Sequence, residues 1–238
     1  MINKNLIKLI KSLSIRKNRL KHQLFVVEGK KNINELLKSD FEIESIWSNS
    51  NWAKLNPSIK VSVISNLELE KISNQKNPND VLAIVKMKNF NNTSKNGLVV
   101  VLDCINDPGN LGTIIRACDW FGVSSIVCSK NSVDMYNPKT VQSSMGSIFR
   151  VNIIYTDLIK YLDDIKSSIV GAFLEGESIR NFPFDENLHL VMGNEANGIS
   201  DEITKFISRK IKINNYVEGA ESLNVAIATS IFLYEIRS

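Results

Sequence analysis

Six short runs of apolar and β-branched residues recur through the second part of the chain: Leu98–Leu102, Ser125–Cys128, Val151–Ile154, Ile169–Leu174, Leu188–Met192 and Lys210–Ile213. Helix-like stretches separate them near Leu111–Phe121, Pro138–Met145, Asp157–Lys166 and Asp201–Ser208, and a last helix spans about Leu223–Ile236. Strands that are apolar on both faces have few stable arrangements. The alternation predicts an α/β fold with a parallel sheet covered by helices on both sides. In such sheets a ligand sits beyond the C-terminal ends of the strands. Ala226, Ile227, Ala228, Ile231, Phe232 and Tyr234 make the last helix apolar nearly all round, which predicts that it is buried.

The first part reads differently. Leu6, Leu9, Ile10 and Leu13 have helical spacing, and Leu24–Val27 is a short β-rich run. Ile33, Leu36 and Leu37 suggest a helix, Leu67–Ile72 a short one, and Ile43–Trp47, Val61–Ile64 and Val81–Lys86 strands. This predicts a smaller mixed α/β unit. The stretch from Lys86 to Gly97 (KMKNFNNTSKNG) is polar and Asn-rich, a linker composition. The expected organisation is a first domain over 1–90, a linker over 91–97 and a second domain over 98–238.

Charge is unevenly spread. Residues 1–31 hold nine Lys or Arg and one acid, Glu28, whereas the rest of the chain holds 20 basic and 24 acidic residues. A basic face on a near-neutral body points to a polyanion partner, against the plainer reading of a solvated helix face. No apolar run approaches the roughly 18 residues of a membrane span. The Lys-rich N-terminus has no apolar core of a secretory leader, so none is expected. Cys104, Cys118 and Cys128 form no C-x-x-C pair and are expected to be small buried residues. His22 and His189 are too few for histidine-based metal chemistry, and His189 falls inside a strand; no metal is expected. No G-x-G-x-x-G follows a strand, and Gly193-x-x-x-x-Gly198 lacks the P-loop lysine.

Three loops after strands carry the chemistry. In the first, Asp107-Pro108-Gly109 is a turn and Asn110 is expected to cap the helix that follows. Arg116 lies nearly two turns further on, expected on roughly the same face. Its neighbours Ile114, Ile115 and Ala117 look buried, which favours an arginine aimed at a site. In the second, Gly193 and Gly198 bracket Asn194, Glu195, Ala196 and Asn197, where glycine permits close backbone approach. A turn leading to a Ser200 cap would look the same. In the third, Ser222 is the expected N-cap of the last helix, with Glu221 near its positive end.

In this order and at these strand ends, the three loops resemble the SpoU branch of the SPOUT RNA methyltransferases. Asn110-x-Gly112-x-x-x-Arg116, Gly193-x-Glu195-x-x-Gly198-Ile199 and Glu221-Ser222-Leu223-Asn224-Val225-Ala226 are similar to the family's three motifs, with Pro138…Ser144-x-Gly146 between them. The segment SLSIRKNRLKHQLFVVEGKKNINELL resembles the ribosomal-protein-like substrate-binding domain that precedes such catalytic domains, through Leu13, Lys17, Arg19, Phe25, Val27, Glu28 and Gly29. Asn214 stands where relatives usually have proline, which leaves Ile211 as a rival to Ile213 in the third loop.

The resemblance implies a trefoil-knotted C-terminal domain that binds S-adenosylmethionine and works as a homodimer in the cytoplasm. It implies methyl transfer to a ribose 2′-OH, with ribosomal RNA the first expectation and transfer RNA the alternative. Arg116, Asn110, Glu195, Ser222 and Asn224 would be catalytic, with Glu195 fixing Arg116 or meeting the substrate. Leu174, Gly176, Gly193, Asn194, Ile213 and Leu223 would bind the cofactor. Arg16, Lys17, Arg19, Lys21 and Lys30 would bind RNA. The competing classes are a non-enzymatic RNA-binding protein with a degenerate knot domain and a nucleotide-cofactor oxidoreductase.

Overall fold

The computed structural model describes residues 2–75, 77, 78, 80–90, 96–217, 219 and 221–238. The expected linker over 91–97 therefore falls largely outside the described residues; of its ends, Gly97 donates its amide to Asn187 Oδ1 at 2.7 Å.

The chain forms two compact units, residues 1–88 with 134–150, and 89–133 with 151–238. The first contains α1 (Lys4–Ser12), α2 (Arg16–His22), β1 (Leu24–Glu28), α3 (Lys30–Leu36), β2 (Ile43–Ser48), α4 (Ser50–Leu55), β3 (Ser62–Val63), α5 (Asn66–Ile72) and β4 (Val81–Lys86). Its sheet runs β1-β4-β2-β3, with β4 antiparallel to both neighbours and β3 parallel to β2. Ile10 and Leu13, one helical turn apart, pack with Val26, Trp47, Leu69, Ile72, Leu82 and Ile84. Two helices were not expected from sequence. α4 is started by Asn49, whose side chain accepts from Trp52 N. α2 buries only Arg19.

Arg19 corrects an expectation. It is 2% exposed, donates to Leu13 O and Ser14 O, and pairs with Asp134 through Nε at 2.9 Å and Nη2 at 2.5 Å. A guanidinium so enclosed is a structural brace and offers RNA nothing. Arg16, Lys17 and Lys21 of the same helix are exposed. Lys30 is half out of the surface and pairs with Asp80 at 2.5 Å, which holds that carboxyl below its usual range. Glu28 is buried, accepting from Ser73 Oγ and Asn74 N.

The second unit contains β5 (Leu98–Leu102), α6 (Pro108–Trp120) and β6 (Ser125–Ser129). The chain then contributes α7 (Pro138–Ser144) to the first unit. Thus 134–150 groups with residues 1–88 and not with the rest of 98–238. The second unit resumes with β7 (Ile153–Thr156), α8 (Leu158–Asp163), β8 (Ser168–Ser178), β9 (Leu188–Met192), α9 (Asp201–Thr204), β10 (Arg209–Lys212) and α10 (Val225–Arg237). Its six strands are all parallel, in the order β10-β8-β9-β5-β6-β7. The expected parallel sheet is present, and its strands β5, β6 and β9 are buried throughout. His189 is a core imidazole as expected, held by Tyr161 Oη and Ser167 Oγ, each at 2.9 Å. Cys118 and Cys128 are buried, and burial pushes Cys128 up to about 12. Such thiols stay protonated and inert. Cys104 departs from the expectation: it is only half buried and has a φ of 55°.

β8 outruns its expected end at Leu174. Its partner register on β10 jumps from Gly171 opposite Lys210 to Glu177 opposite Ile211. Residues 172–176 therefore bulge away from β10, and Gly176 lets the strand return, because a Cβ there would lie 2.5 Å from Lys210 O.

Candidate active site

Because all six strands run the same way, the loops after β5, β8, β9 and β10 leave one edge of the sheet. Three of them are joined by side-chain amides. Asn224 Nδ2 donates to Asn110 Oδ1 at 2.9 Å, and Asn110 Nδ2 donates to Glu195 Oε1 at 2.8 Å. Asn194 Nδ2 donates to Cys104 O at 2.7 Å and approaches Glu195 Oε2 at 3.4 Å. Asp103, buried at the end of β5, accepts from Ser200 N at 2.9 Å, and its own amide extends the ladder to Met192 O. The first loop is thus tied to both others, as the strand-end positions predicted.

Local folding explains how each group is held. Asp107, not Asn110, caps α6: its Oδ1 accepts from Asn110 N at 2.9 Å, with Pro108 in the first turn. Asn110 then keeps its whole side chain for the neighbouring loops. Asn224, not Ser222, caps α10, accepting from Ala226 N and Ile227 N. One amide therefore starts a helix through Oδ1 and bridges loops through Nδ2. Ser222 is exposed, and among the described residues it has no hydrogen-bond partner. In the second loop, Asn194 and Gly198 exchange backbone bonds at 2.9 Å, and Asn194 Oδ1 accepts from Ala196 N and Asn197 N. A Cβ on Gly193 would stand 2.2 Å from Gly198 C, so this glycine is required by the turn itself. Glu195 accepts from two asparagines rather than from Arg116.

Arg116 is exposed on α6 and has no hydrogen-bond or ion-pair partner among the described residues. Six residues at about 100° each turn it some 120° from Asn110, so the two do not share a face as expected. Ile114 and Ile115 are buried on either side of that direction, as anticipated. An unpaired guanidinium on a rigid helix is available to an anion or a developing negative charge.

The remaining loops suit a ligand with a flat apolar ring. Leu174 is 72% exposed at the top of the β8 bulge, Leu223 47% exposed just before α10, and Tyr216 and Val217 stand out after β10. Ile213 is half buried beyond the strand, whereas Ile211 is wholly buried within it. The donors, carbonyls and uncovered apolar side chains of these loops fit an adenosine-bearing cofactor. Among the described residues no cluster of His, Cys, Asp and Glu could hold a metal.

Residues 97–234 match the SpoU rRNA Methylase family, and residues 4–83 an MRM3-like substrate binding domain. The chain belongs to the SpoU family. Its sequence is 30% identical over 237 residues to RlmP of Bacillus subtilis strain 168, a 23S rRNA (guanosine(2553)-2′-O)-methyltransferase, covering 95% of this chain and 94% of that one. Among solved structures, a TrmH-family protein of Porphyromonas gingivalis matches with TM-score 0.90 and 33% identity, covering 100% and 98% of the two chains. An AdoMet-bound rRNA methyltransferase of Sinorhizobium meliloti matches with TM-score 0.86 and 28% identity, covering 100% and 95%. This SpoU protein is an RNA methyltransferase that uses S-adenosylmethionine.

Proposed function

We propose that this protein methylates a ribose 2′-OH in ribosomal RNA. The observation that carries the reading is the bonded series Asn224–Asn110–Glu195, which joins three loops beyond the sheet, on the helix that presents unpaired Arg116. Bound S-adenosylmethionine supplies a sulfonium-activated methyl group. The chain then has to align the acceptor hydroxyl and manage its departing proton. Arg116 is a permanent cation, unsuited to act as a base. It stabilises the developing alkoxide or orients a phosphate, and the proton passes to water or phosphate. Asn110, held at both ends, and Ser222, with its hydroxyl unengaged, orient the acceptor by hydrogen bonding. Glu195 and Asn224 fix Asn110. Leu174, Gly176, Gly193, Asn194, Ile213 and Leu223 form the cofactor cradle, with backbone groups at Ile213 and Leu223 reading the adenine.

The same reading includes a trefoil knot, a homodimer and a cytoplasmic site of action. In favour of the knot, β10 lies at one margin of the sheet, outside β8, yet α10 packs on α6, which follows the interior strand β5. The chain thus ends β10 at the margin of the sheet and begins α10 beside a helix of its interior. In favour of the homodimer, Ile227 and Tyr234 of α10 and Trp120 of α6 are exposed apolar residues. Among the described residues no helix is long and apolar enough to cross a membrane. Ribosomal RNA is favoured over transfer RNA by the full-length match to RlmP. Arg16, Lys17, Lys21 and Lys30 supply the RNA-facing charge. Mapping of 2′-O-methylated riboses in cells with and without the protein tests this. Loss of one site in ribosomal RNA is expected. Loss confined to transfer RNA overturns the substrate, and no loss overturns ribose methylation.

A further inference from the structure

Asp103, the first residue beyond β5, is 4% exposed, and no step assigned above uses its carboxylate. It touches both ends of the loop that carries Glu195. Its amide donates to Met192 O at 2.9 Å, where the chain leaves β9, and its Oδ2 accepts from Ser200 N at 2.9 Å, where the chain enters α9. The carbonyl of the next residue, Cys104, accepts from Asn194 Nδ2 at 2.7 Å inside that loop. Two consecutive residues therefore hold the loop at its start, its turn and its end. The clamp is itself fixed from the side of β6. Cys104 N donates to Ser129 Oγ at 2.9 Å, and Ile105 N to Ser132 Oγ at 3.2 Å. These bonds keep Cys104 at a φ of 55°, a left-handed conformation that a non-glycine residue holds only where its surroundings impose it.

Residues 194–198 close on themselves through paired backbone bonds between Asn194 and Gly198. The turn is thus a small rigid piece, and where it stands depends on what grips its two ends. Glu195 sits on that turn and reaches Asn110 at 2.8 Å, while Gly193 and Asn194 belong to the proposed cofactor cradle. A shift at the base is carried to both. A carboxylate is costly to bury, and its hydrogen bonds are about twice as strong as those between neutral groups. Such a group suits a joint that must not slip. On the methyltransferase reading argued above, on which this inference rests, we propose that Asp103 is a positioning residue of the methyl-transfer site. Through Ser200 N its carboxylate sets where Glu195 and the backbone at Gly193 stand, without touching substrate or cofactor.

The test uses the full chain, unmethylated ribosomal RNA from cells lacking the protein, and three variants. Asp103→Ala removes the acceptor. Ser200→Pro removes the donor from the other side, at a φ of −62° that a proline ring accepts and with no capping bond of the serine side chain to lose. Asp103→Asn keeps an oxygen for Ser200 N in nearly the same shape. S-adenosylmethionine affinity is read by calorimetry without RNA, and turnover with RNA at saturating cofactor, both well below each variant's melting temperature. Asp103→Ala and Ser200→Pro are each expected to bind the cofactor about tenfold more weakly and to turn over about tenfold or more slowly, the scale of one lost buried hydrogen bond to a charged group. Asp103→Asn should recover most of both. Wild-type affinity and turnover in either folded variant that breaks the bond overturn the proposal, whatever its melting temperature, because the carboxylate would then serve the fold alone. Losses as deep in Asp103→Asn as in Asp103→Ala overturn it too, since the bond to Ser200 would not be what places the loop. If Asp103→Ala does not fold, Ser200→Pro decides. Cofactor affinity needs no RNA, so a wild type that binds S-adenosylmethionine without methylating ribosomal RNA refutes the substrate reading and leaves Asp103 to be judged by calorimetry.

Discussion

Asn110 uses both ends of one amide, giving Nδ2 to Glu195 and receiving Asn224 on Oδ1. That arrangement makes its chemistry testable with the smallest possible change. Asn110→Asp would set two carboxylates within hydrogen-bond distance, and such a pair ionises fully only at a cost. A shared proton restores the lost donor, and its pKa lies above the ordinary carboxylate value. The variant is therefore expected to lose activity at neutral pH and to regain part of it as pH falls, moving its optimum to the acid side of wild type. An unshifted profile in steady-state methyl transfer would show that this bond does not matter to turnover. Arg116→Ala makes a second prediction. Removing a charge-stabilising group of this kind typically costs about 100-fold or more in rate. Because Arg116 has no partner among the described residues, melting temperature and S-adenosylmethionine affinity should hold; near-normal turnover would remove it from the mechanism. The residue types and spacing of this site were legible in sequence, but their division of labour was not. Asp107 and Asn110, or Ser222 and Asn224, are equally good caps on paper, and the choice falls to whichever residue the preceding loop delivers in extended geometry.

At the scale of elements, α2 shows where local pattern fails. Its one buried side chain is an arginine, so no apolar period announces the helix or its orientation. Its partner Asp134 lies 115 residues away, a distance no window can see, and the same holds for the ion pair of Glu35 with Arg150. The strands of the second unit were legible because burial on both faces writes itself into every residue. Two predictions separate the roles within α2. Arg19→Ala leaves Asp134 without its partner and should cost about 3–5 kcal/mol by chemical denaturation. Changing Arg16, Lys17 and Lys21 together to Gln should leave stability nearly intact but lower the slope of log affinity against log salt by about two, at roughly 0.7 per phosphate contact. An unaltered slope would return those residues to a merely solvated face. α5 adds a pH signature. Backbone amides of Ser65 and Ile2 and the Ser65 hydroxyl donate to Glu68, lowering it to about 2. Its depressed value means that the capping box stabilises the fold above the unfolded value near 4.5, and that the contribution fades as pH falls from there towards 2. Glu68→Gln should flatten the acid limb of the stability curve over that window.

The whole molecule has to account for α10, whose sequence suggested burial all round. Phe232 and Leu233 are indeed buried, but Ile227 and Tyr234, seven residues apart and so nearly aligned, are open to solvent, with Ile231 half covered between them. The end of this helix is tied to the end of α6 by Arg237, which donates to Phe121 O at 2.9 Å and Gly122 O at 2.8 Å. That tie brings the stripe close to Trp120, 86% exposed. Aromatic and aliphatic residues gathered on adjoining helices mark an interface more often than a free surface. A second copy of the chain is the occupant that the proposed homodimer would supply. α10 also begins at Asn224, inside the bonded series of the site, so what covers its outer face bears on how firmly Asn110 and Glu195 are held. Tyr234→Asp and Trp120→Asp are therefore expected to shift the protein from dimer to monomer in sedimentation velocity. Each should also reduce methyl transfer, although neither side chain belongs to the site. A wild type that sediments as a monomer at micromolar concentration would refute the homodimer outright, and a monomeric variant with full activity would show that α10 holds Asn224 without help from a partner.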